Sequence, residues 1–192
     1  MKRGSWQDIP TERQRSLMEI HLADQSNDVV NAWRQEFAGV DNILIHCADI
    51  LELASDTLVS PANSYGFMDG GIDRLYVEFF GPELESRVQD SIRRTRDGLL
   101  PVGAALIIST GHERIPRLVV APTMILPGPV RPENCFYAMS AALLACQRHR
   151  EEILQLWCPG LCTGVGGVDP GDAAREMAFA VKKHRGRFPA DP

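Results

Sequence analysis

The chain has 192 residues, 44% apolar and 23% charged, with a formal net charge of −5. That size and balance suit one globular domain with a substantial core and exclude a fibrous or disordered chain. No apolar run approaches the eighteen or so residues of a membrane helix, the start "MKRGSWQDIPTERQRS" lacks the apolar core of a signal peptide, and an acidic chain with no basic stripe beyond Arg93, Arg94 and Arg96 argues against general nucleic-acid binding.

In chain order, residues 1–16 are polar and expected to be loosely held, as is the tail at 186–192, with a single domain as the organisation of the whole. "LMEIHLA" (17–23) has the composition of a strand. "SNDVVNAWRQEFAG" then predicts a helix, with Ser26 or Asn27 as its N-cap and Gly39 closing it; Val29, Val30, Trp33 and Phe37 share one face. Apolar runs at 42–48 and 56–62 predict two more strands. "GGIDRLYVEFFG" and "PELESRVQDSIRRTRDG" predict two helices, the second with Pro82 in its first turn. Strand-length apolar runs recur at 104–110, 117–123 and 152–160. A long helix, "PENCFYAMSAALLACQRHREE", separates the last two, and "DPGDAAREMAFAVKKH" predicts a closing helix.

Strands alternating with helices predict an α/β fold: a three-layer α/β/α sandwich around a mixed, mostly parallel sheet. Ligands of such sheets bind outside the carboxyl ends of the strands, so the strand-to-helix loops are where chemistry is expected. Three loops qualify.

In "SPANSYGFMDGGID", Asn63, Asp69, Gly70, Gly71 and Asp73 lie between a strand and a helix. A plain turn, with Asp73 capping a helix that begins near Arg74, and half of an active site both remain open. In "CPGLCTGVGGVDPGDAA", five glycines crowd ahead of a helix starting near Asp172. Glycines let backbone N–H groups approach a ligand, and such groups beside a helix N-terminus suit an anion such as a diphosphate. The stretch matches neither GxGxxG nor a Walker A loop. In "HCADIL", Asp49 either caps the next turn or accepts a hydrogen bond from an exocyclic amine such as that of adenine. His46 reads as a core histidine, and Tyr65 and Phe67 are candidates for packing in the core or stacking on a ring. Five cysteines, an odd number, read as reduced thiols buried in apolar stretches of a cytoplasmic protein. Cys158 and Cys162 lack the companions a zinc site needs, so no metal is expected.

Taken in order, "ADI" (48–50), "VSPANSYGFMDGGID" (59–73), "ENCFYAMSAAL" (133–143) and "CPGLCTGVGGV" (158–168) resemble the elements of the macro domain, a family that binds ADP-ribose. The resemblance spans residues 42–183 and points to a divergent bacterial or phage-related branch. It implies that Asp49, with Ile50 beside it, reads the adenine amino group. It implies that Asn63 contacts the distal ribose, which Gly70 and Gly71 let in, and that Thr163, Gly164, Val165, Gly166 and Gly167 cradle the diphosphate through backbone N–H groups. Asp73 matches the aspartate of hydrolytic members. Ser60 departs from the pattern at the first Asn, Pro61 stiffens the loop, Asp69 replaces a glycine and Cys162 a small residue. No aromatic follows "TGVGG".

The implied activity is hydrolysis of an ADP-ribosyl group from a modified acceptor, a protein first of all, with Asn63 and Asp73 as catalytic residues and no cofactor besides the ADP-ribose ligand. A non-catalytic reader of ADP-ribose is the main rival. Removal of phosphate from ADP-ribose 1″-phosphate and deacetylation of O-acetyl-ADP-ribose are others, as is a structural role with an idle pocket.

Overall fold

The computed structural model describes residues 18–187; the expected loose segment at 1–16, and residues 188–192 of the one expected at 186–192, lie outside the described residues. Six strands form one sheet: β1 (Glu19–Asp24), β2 (Ile43–Cys47), β3 (Thr57–Ser60), β4 (Leu106–Ser109), β5 (Arg117–Val120) and β6 (Gln155–Cys158). Their order is β2-β1-β6-β3-β5-β4. Every pairing is parallel except that of β4 with β5, which makes the sheet mixed and mostly parallel.

Side chains alternate across the sheet, and each face is covered. On one side Ile20, Leu22, Val59, Val119, Leu156 and Cys158 meet α1 (Asn27–Glu36), α5 (Glu133–Gln147) and α6 (Pro170–Arg187). On the other, Leu58, Leu118, Val120 and Trp157 meet α2 (Ile50–Leu53), α3 (Gly71–Phe80) and α4 (Glu83–Arg93). This is the three-layer α/β/α sandwich expected. Central β3 shows why its run reads as continuously apolar: all four of its residues are buried. Among the described residues no helix is long and apolar enough to cross a membrane.

Several boundaries differ from those expected. Helix α3 opens at Gly71, within the helical run expected from Gly70, so Asp73 does not cap a helix beginning near Arg74. Gly70 is extended and its carbonyl accepts from Arg74 N at 3.3 Å, so the glycine pair starts the helix and Asp73 falls inside its first turn. Helix α6 opens at Pro170 because Asp169 caps it, its Oδ1 accepting from Gly171 N (2.8 Å) and Asp172 N (3.3 Å). It continues through the expected fraying at 186 to Arg187. Ser26 is the N-cap of α1, and Gly39, at φ 73°, reverses the chain two residues beyond the C-cap Phe37.

The parallel strands β1, β3, β5 and β6 bring their carboxyl ends to one edge of the sandwich. There the loop after β3 is stitched to the one after β5: Ala121 N donates to Ser60 O (3.0 Å), Thr123 N to Ala62 O and Ser64 N to Met124 O, each at 2.9 Å. Thr123 Oγ1 adds a bond to Pro61 O at 2.8 Å. The two loops therefore act as one rigid wall.

Candidate active site

A cleft of about 410 Å³ opens at that edge. One wall is the loop from Pro61 to the first turn of α3, the opposite wall is the loop from Pro159 to Gly166, and Asp24, Ser26, Asp28 and Val29 close one end.

Asn63 is buried and organises its own loop. Its Oδ1 accepts from Tyr65 N (3.1 Å) and Phe67 N (3.2 Å), and its Nδ2 donates to Phe67 O at 2.7 Å. Both lone pairs of Oδ1 and one amide hydrogen are thereby taken, which leaves at most one hydrogen for a ligand. Gly70 and Gly71 follow on the cleft lining. Gly71 has φ 57°, and a side-chain carbon there would face Val165 Cγ2 across the cleft at 3.6 Å, so the glycine keeps the gap between the two walls open.

Two residues on, Asp73 lies 7% exposed at the bottom of the cleft. Ser60, at the end of β3, donates its hydroxyl to Asp73 Oδ1 at 2.6 Å. Burial pushes the Asp73 carboxyl up to about 7, and the Ser60 hydrogen bond pulls it back part of the way. A carboxyl in that range exchanges a proton readily at neutral pH. Tyr76, one turn later, is fully buried and donates to Val59 O at 3.1 Å. Burial first, and the Asp73 carboxylate second, hold its phenol well above the usual range, so it remains a neutral donor to the strand.

The second glycine loop is folded by two bonds of its own, Gly167 N to Gly164 O and Val168 N to Cys162 O, each at 3.0 Å. Gly166 O also accepts from Val130 N at 2.9 Å. The N–H groups of Thr163, Gly164, Val165 and Gly166 donate to no acceptor among the described residues, and all four residues line the cleft. Gly167 is next to the lining rather than part of it; at φ 64° it turns the chain into α6. The arrangement is a row of backbone donors suited to an anion.

Asp49, just after β2, and Ile50, the first residue of α2, are not among the residues lining the cleft. Asp49 is the N-cap of α2, its Oδ1 accepting from Leu51 N at 2.9 Å, which is the capping alternative realised. Ile50 is the residue by which α2 packs into the core. Asp24 and Asp28, which no motif marks, do line the cleft. Asp24 is engaged, Oδ1 with Ser26 N (2.8 Å) and Oδ2 with Gly160 N (3.3 Å). Their position at, and just past, the carboxyl end of the parallel strand β1 was the available signal. Asp69 also lines the cleft and is exposed.

Of the aromatic candidates, Phe67 is on the lining and 44% exposed, while Tyr65 stands beside it with ring centroids 6.2 Å apart. His46 lies away from the cleft, its Nε2 3.1 Å from His21 Nδ1, in a stack that ends on Trp157. Cys135, Cys146, Cys158 and Cys162 are buried free thiols as expected, whereas Cys47, on edge strand β2, is exposed. Among the described residues no cluster of three or more His, Cys, Asp or Glu side chains is placed to hold a metal.

The profile of the family described as "Macro domain" matches residues 59–177. An uncharacterized protein of Aquifex aeolicus (strain VF5) is 33% identical over 135 residues, which cover 70% of this chain and 77% of that protein. Among solved structures, the macrodomain of Mycobacterium tuberculosis DarG superposes with a TM-score of 0.62 at 20% identity, over 71% of this chain and 87% of that one. Thermosipho africanus DarTG in complex with ADP-ribose superposes with a TM-score of 0.60 at 14% identity, over 86% of this chain and 50% of that one. At such identities these two likenesses speak for the fold.

Proposed function

The chain belongs to the macro domain family, and from that premise we propose that it binds ADP-ribose and hydrolyses ADP-ribosyl groups from a modified acceptor. The observation that carries the hydrolytic reading is Asp73: a buried carboxyl with its proton affinity raised to about 7, on the lining of the cleft and two residues past the glycine pair. A structural cap needs neither burial nor that proton affinity.

In this reading the diphosphate lies against the N–H groups of Thr163 to Gly166 and the distal ribose against Gly70 and Gly71. Asp73 in its ionised form takes a proton from a water as the water oxygen bonds to C1 of that ribose. The bond from C1 to the acceptor oxygen breaks, its electron pair stays on the acceptor, and the proton held by Asp73 neutralises the leaving oxygen. General-base help of this kind is typically worth about 10² to 10⁴ in rate. Asn63 contributes positioning, mostly through the loop that it holds.

A reader that binds without cutting is favoured by one observation: the Asn63 amide is largely committed to its own loop. A phosphomonoester substrate is disfavoured, because Asp24, Asp28, Asp69 and Asp73 line the cleft and no Lys, Arg or His does so among the described residues. Calorimetry with ADP-ribose tests binding. Release of ADP-ribose from a modified protein, compared between wild type and Asp73→Ala, tests hydrolysis. Equal release by the two proteins sinks the role given to Asp73, and binding without release leaves the reader.

A further inference from the structure

Ser60 lies at the end of the central strand β3, fully buried, at the position where this chain departs from the macro-domain motif it resembles. Its backbone is fixed by the pairing of β3 with β5 and by the bond from Ala121 N to Ser60 O. Its hydroxyl has one hydrogen, and that hydrogen goes to Asp73 Oδ1 at 2.6 Å. Asp73 enters from a different element, the first turn of α3. The bond therefore ties the Asp73 carboxyl on α3 to the end of the central strand β3.

We infer that Ser60 is a positioning residue: by holding Asp73 Oδ1 it presents Oδ2 to whatever occupies the bottom of the cleft. A carboxylate has two equivalent oxygens and rotates between them. Donation from a buried hydroxyl removes that equivalence, and only one oxygen is left to accept a proton or a ligand hydrogen bond. Among the described residues the Asp73 carboxyl accepts its one side-chain hydrogen bond at Oδ1, and Asp73 lines the cleft, which leaves Oδ2 for a ligand or water. The Tyr76 hydroxyl, the other donor deep in this region, is engaged with Val59 O and does not duplicate the contact.

The surroundings sharpen the role. Asp24, Asp28, Asp69 and Cys162 line the cleft with Asp73, and the neighbouring Tyr76, on the same helix, feels Asp24, Asp49 and Cys158 as well as Asp73. None is a cation. With no positive partner, the Ser60 hydroxyl is the contact that favours the ionised Asp73 over the neutral one, which agrees in direction with its opposing effect on the burial-raised proton affinity.

The inference rests on the hydrolase reading for its catalytic half and on geometry alone for its hold on Asp73, so its test has two arms. In the first, wild type, Ser60→Ala and Ser60→Thr are labelled with carboxyl-¹³C aspartate, Asp73→Asn assigns the resonance, and its titration midpoint is read by NMR. Ser60→Ala raises the midpoint by about one pH unit, the equivalent of one charge-assisted hydrogen bond, and Ser60→Thr, which keeps the donor, restores it. In the second, the pH profile of ADP-ribosyl release shows its acidic limb moved upward by the same amount in Ser60→Ala, with the affinity for ADP-ribose unchanged. An unmoved midpoint overturns the inference whatever the rates do. A moved midpoint with an unmoved limb overturns its catalytic half. Wild-type protein that releases no ADP-ribose fails the hydrolase reading instead, and the midpoint still decides whether Ser60 holds Asp73.

Discussion

Gly166 lies so close to Cys162 that a side-chain carbon at position 166 would stand 2.6 Å from the Cys162 carbonyl oxygen and 3.0 Å from its Cα. Both obstacles are backbone, held by the bond from Val168 N to Cys162 O, so neither can swing aside. Gly166→Ala therefore forces the whole turn to open. Overpacking of this kind costs about 1–3 kcal/mol, and displacement of the donor row weakens ADP-ribose binding at least about tenfold on the same scale. Gly164 provides the contrast, because a carbon added there meets nothing within 4 Å. Gly164→Ala keeps its stability in urea denaturation, and any loss of affinity in calorimetry then reports ligand contact alone. Unchanged binding in Gly166→Ala would remove the second loop from the proposed site.

The charge of the cleft sets its salt response. An anionic ligand held by lysines or arginines loses affinity steeply with salt, but this lining has four carboxylates and, among the described residues, no cationic side chain. Backbone N–H dipoles are short-ranged and little screened, whereas the repulsion from the carboxylates is screened. Affinity for ADP-ribose is expected to rise slightly, by less than about threefold, between roughly 50 and 200 mM salt. Calorimetry across that range checks it. A tenfold fall would mean that a basic group outside the lining carries the binding.

Much of this was legible in the sequence. Five strands fall inside apolar runs and β1 overshoots its run by one residue, because strands covered on both faces need no polar alternation. The walls of the cleft were legible too, since glycines at close approaches leave a mark. The pairing of Ser60 with Asp73 was not: they lie thirteen residues apart on consecutive elements, β3 and α3, and a serine ending a strand carries no signal of its partner. Asp28 escaped for a related reason. Strand order puts the end of β1 beside the loop of β6, and strand order is a property of long-range packing. The starts at Gly71 and Pro170 fall inside the expected helical runs but ahead of Arg74 and Asp172, because glycine and proline serve there as first-turn residues.

Asn63→Ala separates a loop-holding role from a ribose contact. The substitution removes three hydrogen bonds to Tyr65 and Phe67 from a side chain only 5% exposed. Water reaches the freed backbone groups of those exposed residues, so the net cost is about 1–3 kcal/mol rather than the full sum. Hydrogen exchange should show protection lost across residues 64–69 in the absence of ligand. If the unliganded loop keeps its protection while ADP-ribose affinity falls, Asn63 acts on the ligand directly.

Asp73 makes stability depend on pH in a defined direction. Its carboxyl titrates near 7 in the folded chain, against 3.8 ordinarily. The unfolded chain therefore gives up this proton first as pH rises. Below about 4 both states hold the proton and the group is neutral to stability; between 3.8 and about 7 stability is progressively lost, and above 7 the loss is complete. Integrated over that window, the effect is on the order of a few kcal/mol, since one unit corresponds to about 1.4 kcal/mol. Asp73→Asn does not titrate, and its amide oxygen still accepts from the Ser60 hydroxyl. The variant should thus be more stable than wild type at pH 8, with an advantage that shrinks steadily toward pH 4. Urea denaturation of both proteins at four or five pH values measures this, and an advantage that stays flat across the range would show that Asp73 is not held at raised proton affinity. Stabilisation at pH 8 together with lost ADP-ribosyl release is the combination expected of a carboxylate retained for chemistry at the expense of the fold.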